Sequence, residues 1–282
     1  MTDRVRHLTV TILADNCVSF GEGVLAEHGL SLLAEADGSS FLFDVGESGV
    51  FMGNAARLGL NLAPARKVVL SHAHYDHTGG LDLLLAAQGP RELIGHPDLF
   101  RPKYVRRRGK QPREIGLRRG REELVRQGAV LRLSSEPQDL LPGIRTTGPI
   151  PRTTDFETIP SYFAVKSGER MRRDQFIEEQ GIIVRTRKGL VVLVGCSHRG
   201  VVNTLLHAIQ ITGEERVHAL IGGTHLGPAS EDQLEKTIDE LRRLRVAHVV
   251  ACHCTGFQAA ARLAAALGSC FSFGGVGYRF TL

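Results

Sequence analysis

Residues 71–80 of this 282-residue chain read SHAHYDHTGG and place three histidines and one aspartate within six positions. Buried histidine and aspartate side chains need partners, and exposed ones gain little from being clustered. A metal site therefore explains the cluster better than a group of hydrogen-bonded side chains does. The residues concerned are His72, His74, Asp76 and His77.

The strand-like stretch KVVLS runs directly into this cluster. Side chains two positions apart in an extended chain point the same way, so His72 and His74 can bind one ion from one side. Asp76 and His77 follow where the chain turns toward a helix, and they can reach a second ion. Imidazole with carboxylate favours zinc, iron or manganese, and pairs of such ions about 3.5–4 Å apart recur in hydrolytic sites. We expect two divalent metal ions, with zinc as the first choice.

The rest of the chain alternates short apolar stretches with helical ones. LTVTILAD, LSLLAEA and SFLFDVG open the first half as strands, and IIVRTRKGLVVLVG, VHALIGG and VAHVVAC repeat the arrangement in the second half. Helical patterns lie between them, and Ser230 is a natural N-cap for one of these helices. Because each half opens on consecutive strands, we predict an α/β fold with two mixed sheets sandwiched between helices.

Positive charge is concentrated in one segment. Residues 101–126 hold eleven Lys or Arg and three Asp or Glu, whereas the whole chain holds 35 and 30 for a net charge of +5. We expect this basic arm, with Lys103 among its cations, to meet an anionic partner. A solvated charged face that only aids solubility is the alternative. We predict a single domain over residues 1–282, with an insertion at about residues 90–180 that carries the arm.

Cysteine usage and apolar content indicate the compartment. The odd number of cysteines and the absence of a CxxC pair favour reduced thiols over a disulfide framework. No stretch approaches 18 consecutive apolar residues, and the N-terminal MTDRVRHLTV lacks the pattern of a signal peptide. We therefore expect a cytoplasmic protein without a membrane partner. No Walker A, GxSxG or GxGxxG motif is present, which excludes the corresponding nucleotide-binding and serine-hydrolase classes.

The HxHxDH pattern of residues 72–77 resembles the motif of the metallo-β-lactamase superfamily, which implies an αββα sandwich. FLFDVG places Asp44 at a strand end, where that superfamily has an acidic residue that supports the metal-binding loop. LVGCSHRGVVNTL, LIGGTHLGPASED and ACHCTG are similar to one branch of it, the 7,8-dihydropterin-6-methyl-4-(β-D-ribofuranosyl)aminobenzene 5′-phosphate synthases. Together these stretches span nearly the whole chain.

The resemblance implies a ligand set. His72 and His74 match the ligands of the first metal, and Asp76 and His77 match those of the second. The superfamily's GHTxG histidine has no counterpart in residues 147–152, and the strand that normally ends in a bridging aspartate ends here in Cys-Ser-His. The expected replacements and remaining candidates are His198 as the missing ligand, Cys196 as a second choice or supporting residue, His253 as the final ligand, and His225 as a ligand or substrate contact.

Other residues of the same types are interpreted as structural. Cys252 and Cys254 flank His253 and would point away from it in an extended segment, so we predict packed thiols. The remaining histidines, His28 among them, have no comparable neighbours in the sequence.

The implied activity is that of a metal-dependent hydrolase or transferase acting on a small, phosphorylated, pterin-like substrate. It would use a metal-bound water or hydroxide, or the metal as a Lewis acid, with Asp76 orienting the water or accepting its proton. Substrate-binding candidates are Arg106, Arg107, Arg108 and Arg152. A nuclease or phosphodiesterase of the same fold is one alternative, although the absence of Trp disfavours a nucleic-acid partner. A metal-binding sensor without turnover is another.

Overall fold

The structure is a computed structural model that describes residues 3–282, apart from the side chain of Ser167. The strands are β1 Leu8–Ala14, β2 Ser31–Ala36, β3 Ser39–Phe43, β4 Lys67–Val69, β5 Arg91–Gly95, β6 Lys103–Val105, β7 Arg113–Glu114, β8 Ala129–Leu133, β9 Asp139–Leu141, β10 Ile144–Thr146, β11 Phe163–Ser167, β12 Arg170–Arg173, β13 Ile182–Thr186, β14 Gly189–Val194, β15 Val217–Gly223, β16 His248–Cys252, β17 Phe271–Phe273 and β18 Arg279–Thr281. The α-helices are α1 Val50–Arg57, α2 Tyr75–Thr78, α3 Leu81–Gln88, α4 Arg121–Arg126, α5 Val201–Thr212, α6 Glu231–Arg243 and α7 Phe257–Leu267.

Two seven-stranded mixed sheets form the body of the molecule. The first has the order β18-β1-β2-β3-β4-β5-β8 and the second has the order β17-β16-β15-β14-β13-β10-β9. In the first sheet the pairs from β18 to β3 are antiparallel and those from β3 to β8 are parallel. In the second, β14 to β17 are parallel and β9, β10, β13 and β14 are antiparallel.

Three apolar layers show how the sheets and helices stack. Val10, Leu32 and Phe41 of the first sheet pack with residues of the second sheet, such as Val184 and Ile221. The other face of the first sheet packs against α1, α3 and α4, and the other face of the second against α5, α6 and α7. The prediction of two mixed sheets sandwiched between helices is confirmed.

A third, smaller sheet has the order β12-β11-β6-β7 and is built from two separate segments. The strands between these segments, β8, β9 and β10, belong to the two large sheets. The region predicted as an insertion at about 90–180 is therefore interleaved with the main sheets. Its extra material is the small sheet and the connecting loops.

One cation of the basic arm is buried. Lys103 is 2% exposed, and its ammonium lies 2.9 Å from Asp174 Oδ2 and 2.7 Å from Glu178 Oε1. The prediction that Lys103 contributes to a cationic surface is wrong, because two carboxylates remote in sequence enclose it. Arg106, Arg107 and Arg108 are exposed in the loop that follows β6.

Ser230 caps α6 as predicted, with its hydroxyl oxygen accepting a hydrogen bond from the Gln233 amide at 3.2 Å. In the part of the chain that the structure describes, each helix is too short or too polar to cross a lipid bilayer.

Candidate metal centre

The candidate ligands lie on loops that leave the carboxyl ends of parallel strands, where ligand sites of open α/β sheets usually form. The HxHxDH loop follows β4, and single loops after β14, β15 and β16 bring in residues 196–198, His225 and His253. Seven non-glycine residues have positive φ in the part of the chain that the structure describes, and five of them belong to this region: Asp44, Phe176, Ser197, His225 and His253. A non-glycine residue in the left-handed conformation costs about 1 kcal/mol or more. The concentration of such residues here indicates a site where the direction of the side chains outweighs the backbone strain.

His72, His74 and His198 form the first cluster. One nitrogen from each ring lies within 4.8 Å of the others, and all three side chains are buried. Burial and neighbouring histidines hold the pKa of His72 and His198 well below the usual value, and burial lowers the pKa of His74 to about 3. The imidazoles are therefore neutral at pH 7 and free to act as ligands.

Asp76, His77 and His253 form the second cluster. Nε2 of His77 lies 3.1 Å from Nε2 of His253, which in turn lies 3.4 Å from Asp76 Oδ2. Burial alone would lower the pKa of His253, but the hydrogen bond to Asp76 and the negative charges of Cys254, Asp76 and Asp15 together outweigh it and raise the pKa to about 9. Burial likewise would raise the pKa of Asp76, but His77 and His253 hold it well below its usual range. The cluster stabilises positive charge at its centre.

Cys196 lies between these clusters and a third group. Its Sγ is 3.1 Å from Nε2 of His77 and joins a group with His72 and His77. The same sulfur joins His225 and Cys254, with the three ligand atoms within 4.8 Å of one another. Cys254 differs from the predicted packed thiol because residues 253–255 form a 3₁₀ turn, not an extended segment. Cys252 remains in the extended strand and is fully buried in the core between the sheets.

Asp44 supports the HxHxDH loop from the end of β3. Its Oδ1 accepts a hydrogen bond from the Ser71 amide at 2.8 Å. Its Oδ2 accepts a hydrogen bond from the Ser71 hydroxyl at 2.7 Å and lies 2.7 Å from Nδ1 of His77. Ser71 Oγ also lies 2.8 Å from Nδ1 of His72, so one carboxylate orients rings in both clusters. Gly195 allows this packing, because a Cβ at that position would collide with Ser71 Oγ.

The segment 174–180 supports the second half of the site, and sequence reasoning missed it. Both carboxylate oxygens of Glu179 accept main-chain N–H groups, from His198 at 2.7 Å and from Arg199 at 2.6 Å. The Phe176 ring stacks on His198 with centroids 3.9 Å apart. Two glutamates near a phenylalanine are not a sequence signature of a metal site. Here the glutamate binds main-chain amides and the phenylalanine stacks on a ligand ring, so neither is itself a typical ligand.

A pocket of about 200 Å³ opens onto all the clusters and is covered by the small sheet. Its wall includes Val105, Phe163 and Tyr162 from that sheet and its edge, together with Arg107 and Arg113. Arg107 lines this pocket, while Arg106 and Arg108 line an adjoining surface groove with it. Arg152 differs from the prediction: its guanidinium donates a hydrogen bond to the Glu157 carbonyl at 3.0 Å, and it is not among the lining residues that the structure describes.

The pocket residues that were not predicted include one histidine and one arginine. His28, which we interpreted as structural, lines the pocket with Nδ1 3.7 Å from Asp76 Oδ2. Arg113 lies over the ring of Tyr75 at 5.6 Å from its centroid and also lines the pocket. The signal available for His28 was its position in the loop that leads into β2, beside the strand ends that carry the ligands.

The donor set fits divalent cations. Among the described residues, Nε2 of His72, Nε2 of His74 and both ring nitrogens of His198 are buried without a hydrogen-bond partner. A buried polar atom left unpaired costs about 1–3 kcal/mol, so several converging in one place need a ligand. Neutral imidazoles, a carboxylate and a thiol are donors that zinc and neighbouring transition metals bind.

Comparisons with known proteins identify the family. The sequence profile of the metallo-β-lactamase superfamily matches residues 25–160. A 7,8-dihydropterin-6-methyl-4-(β-D-ribofuranosyl)-aminobenzene-5′-phosphate synthase of Methanocaldococcus jannaschii is 30% identical over 266 residues, which cover 91% of this chain and 90% of that protein. The chain belongs to the metallo-β-lactamase superfamily.

Solved structures show the same fold. Tm1679, a metal-dependent hydrolase of the β-lactamase superfamily, superposes with a TM-score of 0.85 at 30% identity, covering 98% of this chain and 99% of the other. Zn²⁺-bound PqqB from Methylobacterium extorquens superposes with a TM-score of 0.56 at 12% identity over 97% of this chain and the whole of that one, a likeness of fold alone.

Proposed function

We propose that this chain is a metal-dependent hydrolase or transferase whose dinuclear site acts on a small phosphorylated substrate. The observation that carries the proposal is the convergence of His72, His74 and His198, whose buried ring nitrogens lack partners among the described residues. A sensor would need only metal binding, whereas this cluster opens on a pocket with arginines and aromatic rings.

Two bound divalent ions would supply a water of lowered pKa and a Lewis acid for a phosphoryl or carbonyl oxygen. His72, His74 and His198 would hold the first ion, and Asp76, His77 and His253 the second. Asp76 lines the pocket, and its carboxylate is the chain's own group to orient the attacking molecule or take its proton. His28 lies at the pocket wall 3.7 Å from that oxygen and can pass a proton on to solvent.

Arg107 and Arg113 are the pocket cations that would bind a phosphate, since guanidinium groups bind phosphate oxygens in pairs. Tyr75, Tyr162 and Phe163 provide ring faces and edges for a flat substrate group. The relative from M. jannaschii is named for a product that contains dihydropterin, aminobenzene and ribose phosphate groups, which is the chemistry these residues would accommodate. That name also supports group transfer beside hydrolysis.

The first experiment is reconstitution followed by a substrate screen. Metal-free protein is loaded separately with Zn²⁺, Mn²⁺ or Fe²⁺ and assayed on phosphoesters, cyclic nucleotides and lactones, with and without an aromatic amine as acceptor. Products in which the amine replaces water would establish transfer, and products without it would establish hydrolysis. Metal-loaded protein that turns over none of the phosphorylated compounds would contradict the proposal.

Arg113→Ala tests the phosphate contact. Loss of a charge-assisted hydrogen bond should raise KM about 10- to 100-fold for a phosphorylated substrate. Arg106→Ala is the matched control, because Arg106 is exposed and lies in the outer groove. Equal effects of the two substitutions would contradict the assignment.

Three arginines of the basic arm separate this proposal from the nuclease alternative. Neutralising Arg106, Arg107 and Arg108 together should change the salt dependence little if one phosphate is bound. If the arm follows a polynucleotide, the slope of log affinity against log salt should flatten by about 0.7–0.9 for each lost contact.

We also propose a reducing, cytoplasmic location. All five cysteines are free thiols in the structure. Thiols persist unpaired mainly in reducing compartments.

A further inference from the structure

A thiol group beside the dinuclear site is not used by the proposed function. Cys196 Sγ, Cys254 Sγ and a ring nitrogen of His225 lie within 4.8 Å of one another. The three residues come from the loops that follow β14, β15 and β16, and all of them line the pocket. Three neighbouring strands of the second sheet therefore deliver two sulfurs and one imidazole to one point.

The side chain of His225 has no hydrogen bond to a described residue that would explain its place in the site. Both of its ring nitrogens are buried, and neither finds a partner in residues 3–282. The residue is held at a φ of +50°, a conformation that directs the ring toward the sulfurs at the cost of backbone strain. The residue is half-buried, but two ring nitrogens that are shielded from solvent and unpaired need a ligand.

The main chain is arranged to stabilise negative charge on sulfur. The His225 amide donates a hydrogen bond to Cys254 Sγ at 3.2 Å. Hydrogen bonds to a coordinating sulfur are a usual feature of metal–thiolate sites. Gly223 makes room for this contact, because a Cβ there would lie 2.7 Å from the same sulfur.

We propose that Cys196, His225 and Cys254 form a third metal position, a thiolate–imidazole site for a thiophilic ion such as Zn²⁺ or Cd²⁺. Two cysteines and one histidine are a donor set that zinc accepts while keeping a fourth position open. All three residues line the pocket, so a bound molecule would be able to supply the fourth ligand. The site does not depend on the activity proposed above.

The experiment is titration of the reduced, metal-free, full-length chain with Co²⁺, followed by absorption. Thiolate coordination gives a ligand-to-metal charge-transfer band in the near ultraviolet, which imidazole and carboxylate ligands do not. The final intensity of the band should correspond to one thiolate-bound Co²⁺ per chain, and total binding at saturation should exceed that of Cys254→Ser by one ion. His225→Ala should weaken binding at this band while leaving both sulfurs in place.

Two further variants separate this site from the dinuclear one. The double variant His72→Ala, His74→Ala should keep the thiolate band, whatever happens to activity. Cys270→Ser, which changes a thiol outside the pocket, should behave as the wild type. Circular dichroism of each variant shows whether it folds. If Cys254→Ser does not fold, the thiolate band of His225→Ala decides whether the site exists. A band that persists unchanged in Cys254→Ser and His225→Ala, or no thiolate band in the wild type, would overturn the proposal.

Discussion

The two sheets contribute to the site in opposite ways. The first sheet supplies His72, His74, Asp76 and His77 from one loop, and a single carboxylate, Asp44, orients rings in both clusters. The second sheet supplies its residues one or two at a time from three loops. Ser197, His225 and His253 in those loops all have positive φ.

The difference shows two routes to a precise site. A short motif followed by a helix is fixed by local geometry and one buried partner. Separate loops need backbone strain and remote supports, such as Glu179 beneath His198 and Arg199. We call the ligands from the first sheet the first half of the site and those from the second sheet the second half. We therefore expect the first half to tolerate loss of a ligand less well than the second half. We also expect the residues that support the first half to affect both metal positions.

The largest effect should follow removal of both imidazoles that the first half gives to the first cluster. In the double variant His72→Ala, His74→Ala, only His198 remains in the first cluster. The first metal position should therefore lose its ion, and activity should disappear. The fold should persist, because these rings lie on a loop outside the three apolar layers. Metal analysis, an activity assay and thermal unfolding test this, with His248→Ala as the control at an exposed position. Full metal content in the double variant would refute the ligand assignment.

The second half of the site should tolerate the loss of one ligand better. His198→Ala leaves His72 and His74 in place, so the affinity of the first position should fall but excess metal should restore part of the activity. Metal titration of activity measures this, and His253→Ala should give the same pattern for the second position. If no concentration of metal restores either variant, the two halves do not differ as we infer.

Much of the fold and part of the site could be predicted from the sequence. The central strands have long apolar runs, and the HxHxDH ligands are adjacent, so local pattern was sufficient for both. The prediction for Cys254 is wrong because it requires an extended segment after β16, whereas a left-handed His253 begins a 3₁₀ turn there.

The small sheet and the buried ion cluster were beyond sequence reasoning. β6 is only three residues long, and three of the four residues of β12 are arginine, which is typical of a solvent-exposed loop. Lys103 is buried only because Asp174 and Glu178 arrive from about 70 residues away. Pairing over such a distance leaves no periodic signal.

Asp44→Asn should have an intermediate effect that reaches both metal positions. The amide cannot accept from Ser71 and His77 as the carboxylate does, so ring orientation is lost in both clusters. Removal of such a supporting partner typically costs 10–100-fold in metal affinity, and we expect about that loss here. Competition with a chelator measures it, and Glu22→Gln, an exposed carboxylate of the same half, is the control. An effect confined to one position would show that Asp44 acts on a single ring.

The smallest effect concerns the support of α5, the helix that follows the His198 loop. Glu157 accepts the amides of Val202 and Asn203 at 2.8 Å each, and burial raises its pKa from 4.5 to about 7 although those amides lower it. The first half has a support that does not titrate, the Asn54 amide, which donates to the Leu13 and Leu25 carbonyls.

Because the pKa of Glu157 is higher in the folded than in the unfolded chain, its contribution is fully present below about pH 4.5 and is lost as pH rises through about 7. The free energy of unfolding should fall across that window by at most about 3 kcal/mol from this group. Glu157→Gln cannot titrate, so it should destabilise the protein more at pH 5 than at pH 7.5 in urea unfolding. Asn54→Ala should cost the same at both. A Glu157→Gln effect that grows with pH would mean that the ionised carboxylate is what supports the helix, and that burial does not control its charge.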